Sequence, residues 1–168
     1  CVNSLSIKFI AHNNLEVATF GAGCFWHVEK TFRETKGVYL ASVGYMGGNT
    51  LNPTYHDICK GNTNHAEVVH LYFNPEIISY SDLLKVFWSN HNPTTLNQQG
   101  LDVGTQYRSV IFYQNNTQKE VAETSLFEQK EKWKKEIVTQ ITSAEKFYRA
   151  EEYHQNYLNK NNLGSCGL

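Results

Sequence analysis

Residues 17–32 read Val-Ala-Thr-Phe-Gly-Ala-Gly-Cys-Phe-Trp-His-Val-Glu-Lys-Thr-Phe, and the period of the apolar residues changes in the middle of them. Residues 17–20 predict a short strand, whereas Phe25, Val28 and Phe32 recur at the spacing of one helical face. Gly21 and Gly23 bracket the change, so Cys24 stands at a strand-to-helix junction. A thiol there is poised to ionise: its pKa falls from about 8.5 to roughly 3.5–7.5 at helix N-termini. The positive end of the helix dipole and the amides of the first turn both favour negative charge on sulfur. The competing reading, a small buried hydrophobe, is the common fate of cysteine. Flanking glycines that let backbone amides and a ligand approach the sulfur weigh against it.

Outward from this junction, the helix runs to about residue 36 and a strand is predicted at 38–45. A Gly/Asn/Pro-rich loop at 47–64 follows, long enough that function is expected of it. Residues 65–73 alternate as a strand, and Ser81-Asp82 can cap a helix through Trp88. After a second polar loop at 91–104, a strand is predicted at 107–113. Asn116 or Thr117 then caps a long helix to about residue 134, followed by a strand at 137–141 and a last helix at 144–159. Strands and helices in this order predict an α/β protein of the α+β kind: a two-layer sandwich whose mixed sheet has a ferredoxin-like core with helices packed against it.

The 168 residues, 40% hydrophobic and 18% charged, suit one globular domain over 1–168, with a flexible glycine-flanked tail at about 160–168 carrying Cys166. Fifteen basic against sixteen acidic residues give a formal charge of −1, which excludes long-range attraction to a polyanion as a driving force. The basic run Lys130-Glu-Lys-Trp-Lys-Lys135 is flanked by Glu128 and Glu136 and reads as a solvated helix face, not a nucleic-acid patch. No apolar run is long enough to span a bilayer and no secretory signal is present. A monomer without nucleic-acid or membrane partners is expected. A cytoplasmic location is expected too, with export or processing as the alternative because the chain starts at Cys1 without Met. His56, Cys59, His65 and His70 are close in sequence, but their spacing lacks the paired ligands of a zinc site, so no metal is expected.

Gly23-Cys24-Phe25-Trp26, Tyr55, His65-Ala-Glu67, Asp102-Val-Gly-Thr-Gln-Tyr107-Arg-Ser and Glu151-Glu-Tyr-His-Gln155 occur in that order. Together they resemble peptide methionine sulfoxide reductase of the A type, from about residue 19 to Cys166. The resemblance implies thiol-dependent reduction of the S epimer of methionine sulfoxide, free or in proteins. It makes Cys24 the nucleophile and Glu67 the acid, whose pKa must be raised for it to donate near neutrality. It makes Tyr55 and Tyr107 the phenols that hold the sulfoxide oxygen, Phe25 and Trp26 the cradle for the S-methyl group, and Asp102 a polar positioning partner.

Attack by Cys24 would leave a sulfenic acid. Cys166 would resolve it as a disulfide, which thioredoxin, or dithiothreitol in vitro, would reduce; no bound cofactor is implied. Cys59 competes as resolver but reads as structural, and Cys1 as a bystander. His27 and Asn64 stand where glycine is common in the family. Two other readings remain: another cysteine-nucleophile enzyme, for which no histidine shows the motif of a base, and an aromatic-lined peptide-binding module.

Overall fold

The computed structural model describes residues 14–163; Cys1 and Cys166 lie outside the described residues. Strand β1 (Glu16–Ala22) leads through Gly23 into helix α1 (Phe25–Arg33), followed by β2 (Val38–Met46), the short helix α2 (Tyr55–Cys59) and β3 (Ala66–Phe73). Helix α3 (Tyr80–Ser89) and a two-residue hairpin, β4 (Gln98–Gln99) with β5 (Asp102–Val103), precede β6 (Ser109–Tyr113). Helix α4 (Asn116–Lys132), β7 (Gln140–Ser143), β8 (Tyr148–Arg149) and α5 (Tyr157–Lys160) complete the order. The main sheet runs β7-β6-β1-β3-β2-β8. All its pairings are antiparallel except β6 with β7. The sequence β1-α1-β2-β3-α3-β6, with sheet order β6-β1-β3-β2, is the ferredoxin-like core expected from the order of elements.

Both faces of this sheet are covered. Ala18, Phe20 and Ala22 of β1 and Val69, Leu71 and Phe73 of β3 meet Val28 and Phe32 of α1 and Leu83, Leu84 and Phe87 of α3. On the opposite face Ala66, Val68, Val110 and Phe112 pack against Ala144 and Phe147. Period-two alternation therefore sends Glu67, together with Val69 and Leu71, toward the helices.

Several boundaries differ from the sequence reading. Helix α3 is capped by Ser79, whose hydroxyl accepts from the Asp82 amide at 3.1 Å, and α4 by Asn115, which accepts from the Gln118 amide at 2.9 Å. Each cap precedes the expected one because the side chain must reach the third amide of the helix. Helix α1 stops at Arg33. Strand β6 starts at Ser109, after a 3-10 turn at Thr105–Tyr107, and the expected strand at 137–141 forms as β7, at Gln140–Ser143.

The largest difference is at the C-terminal end. Residues 144–159, expected to be a helix, instead form a loop, β8, a 3-10 turn at Glu152–His154 and the start of α5. Tertiary bonds outbid helix propensity there. Both amide atoms of Gln155 bond the backbone of Val43, at 3.0 and 2.9 Å, as a neighbouring strand would. The left-handed Asn156 donates its amide to buried Glu29 at 2.8 Å.

Candidate active site

Cys24 is the N-cap of α1 and partly exposed. The next amide, that of Phe25, donates to Glu67 Oε2 at 3.1 Å, which brings a carboxyl from the middle sheet strand against the helix N-terminus. Glu67 is almost wholly buried. Burial, with some help from the charge of Asp102, pushes its carboxyl up to about 8, and the Phe25 N–H only partly opposes this. Such a group is protonated at neutral pH and can give up a proton there.

Gly23 serves two needs. Its φ of +90° disfavours any L side chain, and a Cβ there would meet Gln99 Cβ at 2.7 Å. Gln99 in turn exchanges hydrogen bonds with the backbone of Asn92, at 2.9 and 3.0 Å. The bare glycine thus lets the β4–β5 hairpin close against the cysteine turn and carries Asp102 to the site. Asn64 is also left-handed, at φ +58°. Glycine is the residue that backbone favours, and asparagine is among the side chains that tolerate it best.

Tyr55 opens α2, a helix inside the loop that sequence reading left structureless. Thr54 caps it through a reciprocal box with Asp57. The Tyr55 amide donates to Glu151 Oε1 at 2.8 Å and the buried Tyr45 hydroxyl donates to Glu151 Oε2 at 3.1 Å. Burial works against the Glu151 carboxylate, but these donors outweigh it and hold its pKa below the ordinary range. The Tyr55 hydroxyl is raised well above the usual phenol, by burial and then by its hydrogen bond with Cys59 one turn later. Tyr107 is raised likewise, by burial and then by the nearby Glu67, Asp102 and Cys24. Both phenols therefore keep their protons and can act as donors. Cys59 is exposed, which departs from the burial usual for a structural thiol.

Phe25 is buried and Trp26 half-buried. The Trp26 indole donates to His154 Nδ1 at 3.0 Å and stacks on Tyr157 with ring centroids 3.9 Å apart. His154 also packs on Phe25 and Tyr55, at 5.2 and 4.4 Å. Accepting from Trp26 fixes the neutral ring with its proton on Nε2, and burial lowers its pKa to match. Glu151, His154 and Tyr157 had received no role from sequence. The block Glu151-Glu-Tyr-His-Gln155 was visible, but as a helix surface it gave no reason to point at Cys24.

A cleft of about 530 Å³ opens beside Cys24, with Trp26, His27, His91 and Asp102 among its walls. Phe25, Glu67, Tyr55 and Tyr107 do not line it: the first two are buried, and the phenols are tied to the group electrostatically. Of the expected site residues only Cys166 falls outside the described residues. Among the described residues no three His, Cys, Asp or Glu side chains converge to hold a metal. His65 bonds the Gly48 amide and Thr50 carbonyl, and His70 bonds Thr19. The arrangement offers a thiol at a helix N-terminus, a buried proton donor beside it and a phenolic donor, Tyr107, within electrostatic reach of both, with Tyr55 joined to the group through Glu67 and Tyr107.

A family model described as peptide methionine sulfoxide reductase matches residues 16–168. The peptide methionine sulfoxide reductase MsrA of Methanothermobacter thermautotrophicus is 57% identical over 155 residues, covering 91% of this chain and 92% of that protein. The solved structure of reduced Mxr1 from Saccharomyces cerevisiae superposes with a TM-score of 0.87 at 35% identity, over 91% of this chain and 89% of that one. Mxr1 has also been solved in complex with Trx2, in which its fold matches with a TM-score of 0.63 at 24% identity, over 91% of each chain.

Proposed function

Because this chain belongs to the peptide methionine sulfoxide reductase family, we propose that it reduces the S epimer of methionine sulfoxide, free or within proteins, with Cys24 as nucleophile. The observation that carries the assignment of roles is the buried Glu67 carboxyl, one hydrogen bond from the residue after Cys24 and with its pKa pushed up to about 8. A sulfoxide yields to a thiolate only if its oxygen is protonated or strongly hydrogen-bonded, since oxide is otherwise a poor leaving group. Glu67 supplies the proton, and Tyr55 and Tyr107 hold the oxygen as charge develops on it. Phe25 and Trp26 receive the S-methyl group, and Asp102 positions the polar end of the substrate.

The electron count is simple. Cys24 sulfur takes the oxygen and is oxidised to sulfenic acid, while the sulfoxide gains two electrons and leaves as methionine. The Cys166 thiol then attacks the sulfenic sulfur, water departs and a disulfide forms. A dithiol of the thioredoxin kind reduces that bond by exchange, a partner supported by the yeast relative's complex with Trx2.

The test counts methionine formed per enzyme from the separate S and R epimers, without and with thioredoxin, thioredoxin reductase and NADPH. Stoichiometric S-specific product, becoming catalytic with thioredoxin, is expected. Cys24→Ser should form none, and Cys166→Ser should complete one reduction but not cycle with thioredoxin. Product from neither epimer would overturn the proposal.

A further inference from the structure

The Cys24 cleft does not end at the catalytic residues. Away from Cys24 it continues past Leu101 to Trp133, and there it shares Ser89 and Trp133 with a second depression of about 420 Å³ between α3 and α4. The walls of that depression are Lys85, Trp88, Ser89, Gln129, Lys132 and Trp133. Two features make the path suitable for a polypeptide. Leu101, at the tip of the β4–β5 hairpin, is 91% exposed, an apolar lip on the cleft that Cys24, Trp26 and Asp102 also line. Beyond it, the partly exposed Trp133, with the edge of the buried Trp88 beneath, gives way to two charged side chains, both lysines. Lys85 pairs with Asp82 at 2.7 Å and also feels the charge of Glu128, but the pair is solvent-exposed, and exchanging such a pair for another carboxylate costs little.

The sequence run around Trp133 thus has more to do than face solvent. Helix α4 ends at Lys132, and with ψ 127° at Trp133 the chain leaves the helix; Trp133 lines both cavities while Lys132 lines only the second. The reduction proposed at Cys24 needs only the end of one side chain. A substrate held in a polypeptide must also run its backbone out of the cleft, and the walls named above are what it meets on this side.

We propose that the groove from Leu101 through Trp133 to Lys85 and Lys132 is a subsite for the chain flanking a protein-bound methionine sulfoxide, and that it selects an apolar residue followed by an acidic one. This rests on the function proposed for Cys24. It predicts a preference set by charge two to four residues from the sulfoxide.

The experiment compares short peptides bearing methionine sulfoxide and, on either side at those positions, Glu or Lys, with N-acetyl-methionine sulfoxide amide as the small substrate. Dithiothreitol is the reductant, so that docking of thioredoxin does not enter. The wild-type protein should turn over the better-placed Glu peptide with kcat/KM about tenfold above its Lys counterpart, equivalent to about 1.4 kcal/mol. The double variant Lys85→Glu/Lys132→Glu should reverse that order, with the small substrate unchanged as the control for folding. Equal use of both peptides by the wild type, or a preference surviving in the double variant, overturns the subsite. In a parallel assay with thioredoxin in place of dithiothreitol, a variant whose only loss is thioredoxin-driven turnover overturns it too and gives the groove to the reductant. If the wild type reduces none of the substrates, including the small one, the Cys24 reading itself fails and the subsite falls with it.

Discussion

One proton on Glu67 sets how the site responds to pH. With its pKa pushed up to about 8 by burial, the carboxyl is a donor at neutrality and loses that ability as pH rises. kcat/KM should therefore fall through an alkaline limb near pH 8, and Glu67→Gln should lose about 10²–10⁴-fold, the range for removing a general acid. Asp102 lends part of the upward shift, so Asp102→Asn should move the limb to lower pH. A limb that stays in place in that variant would separate Asp102 from the acid. Little of this is legible in the residues alone. Ala66, Glu67, Val68 and Val69 are all buried, because both sheet faces are covered, and alternation then carries no sign of which side chain is special. Cys24 was legible for the opposite reason: the change from strand to helix period, with Gly23 between, marks it without any knowledge of its neighbours.

At the scale of elements, the segment after β8 acts as a clamp on α2 and on the start of α1. Glu151 holds the Tyr55 amide and the Tyr45 hydroxyl, His154 holds the Trp26 indole, and Gln155 extends the edge of β2. Glu151→Ala strands two donors, one of them on fully buried Tyr45, at about 1–3 kcal/mol for each unsatisfied group. A melting point lower by roughly 5 °C or more is expected for a chain of this size. Glu151→Gln, which keeps the acceptors, should lose much less. A fall in activity larger in Glu151→Ala than in Glu151→Gln would show that Tyr55 is positioned from this side. The four-strand core and both of its helices could be read from periodicity and turn residues. The clamp could not, because its residues favour a helix locally and lose that helix to partners far along the chain, such as Val43 for Gln155 and Glu29 for Asn156. The short α2 and the β4–β5 hairpin were hidden for a related reason, being too brief for a period to show.

For the whole molecule, the same carboxyl links catalysis to folding. Glu67 has an ordinary value of 4.5 and is raised to about 8 in the folded protein. Between those values the native state keeps a proton that the unfolded chain releases. Native protons in excess make the slope of unfolding free energy against pH negative. The contribution of Glu67 is thus most favourable below about pH 4.5, is lost progressively as pH rises to about 8, and levels off above, where both states are ionised. Glu67→Gln removes this dependence while leaving an oxygen to accept from the Phe25 amide. Any fixed cost of the buried amide is the same at every pH, so the readout is how the difference in melting temperature between variant and wild type changes with pH. That difference should move in favour of Glu67→Gln by several degrees between pH 5 and pH 9, while turnover is lost throughout. Parallel melting curves across that range would mean that the fold does not resist charge on Glu67. The protein would then hold its proposed acid ionised at neutrality, and the proton for the sulfoxide oxygen would have to come from the phenols instead.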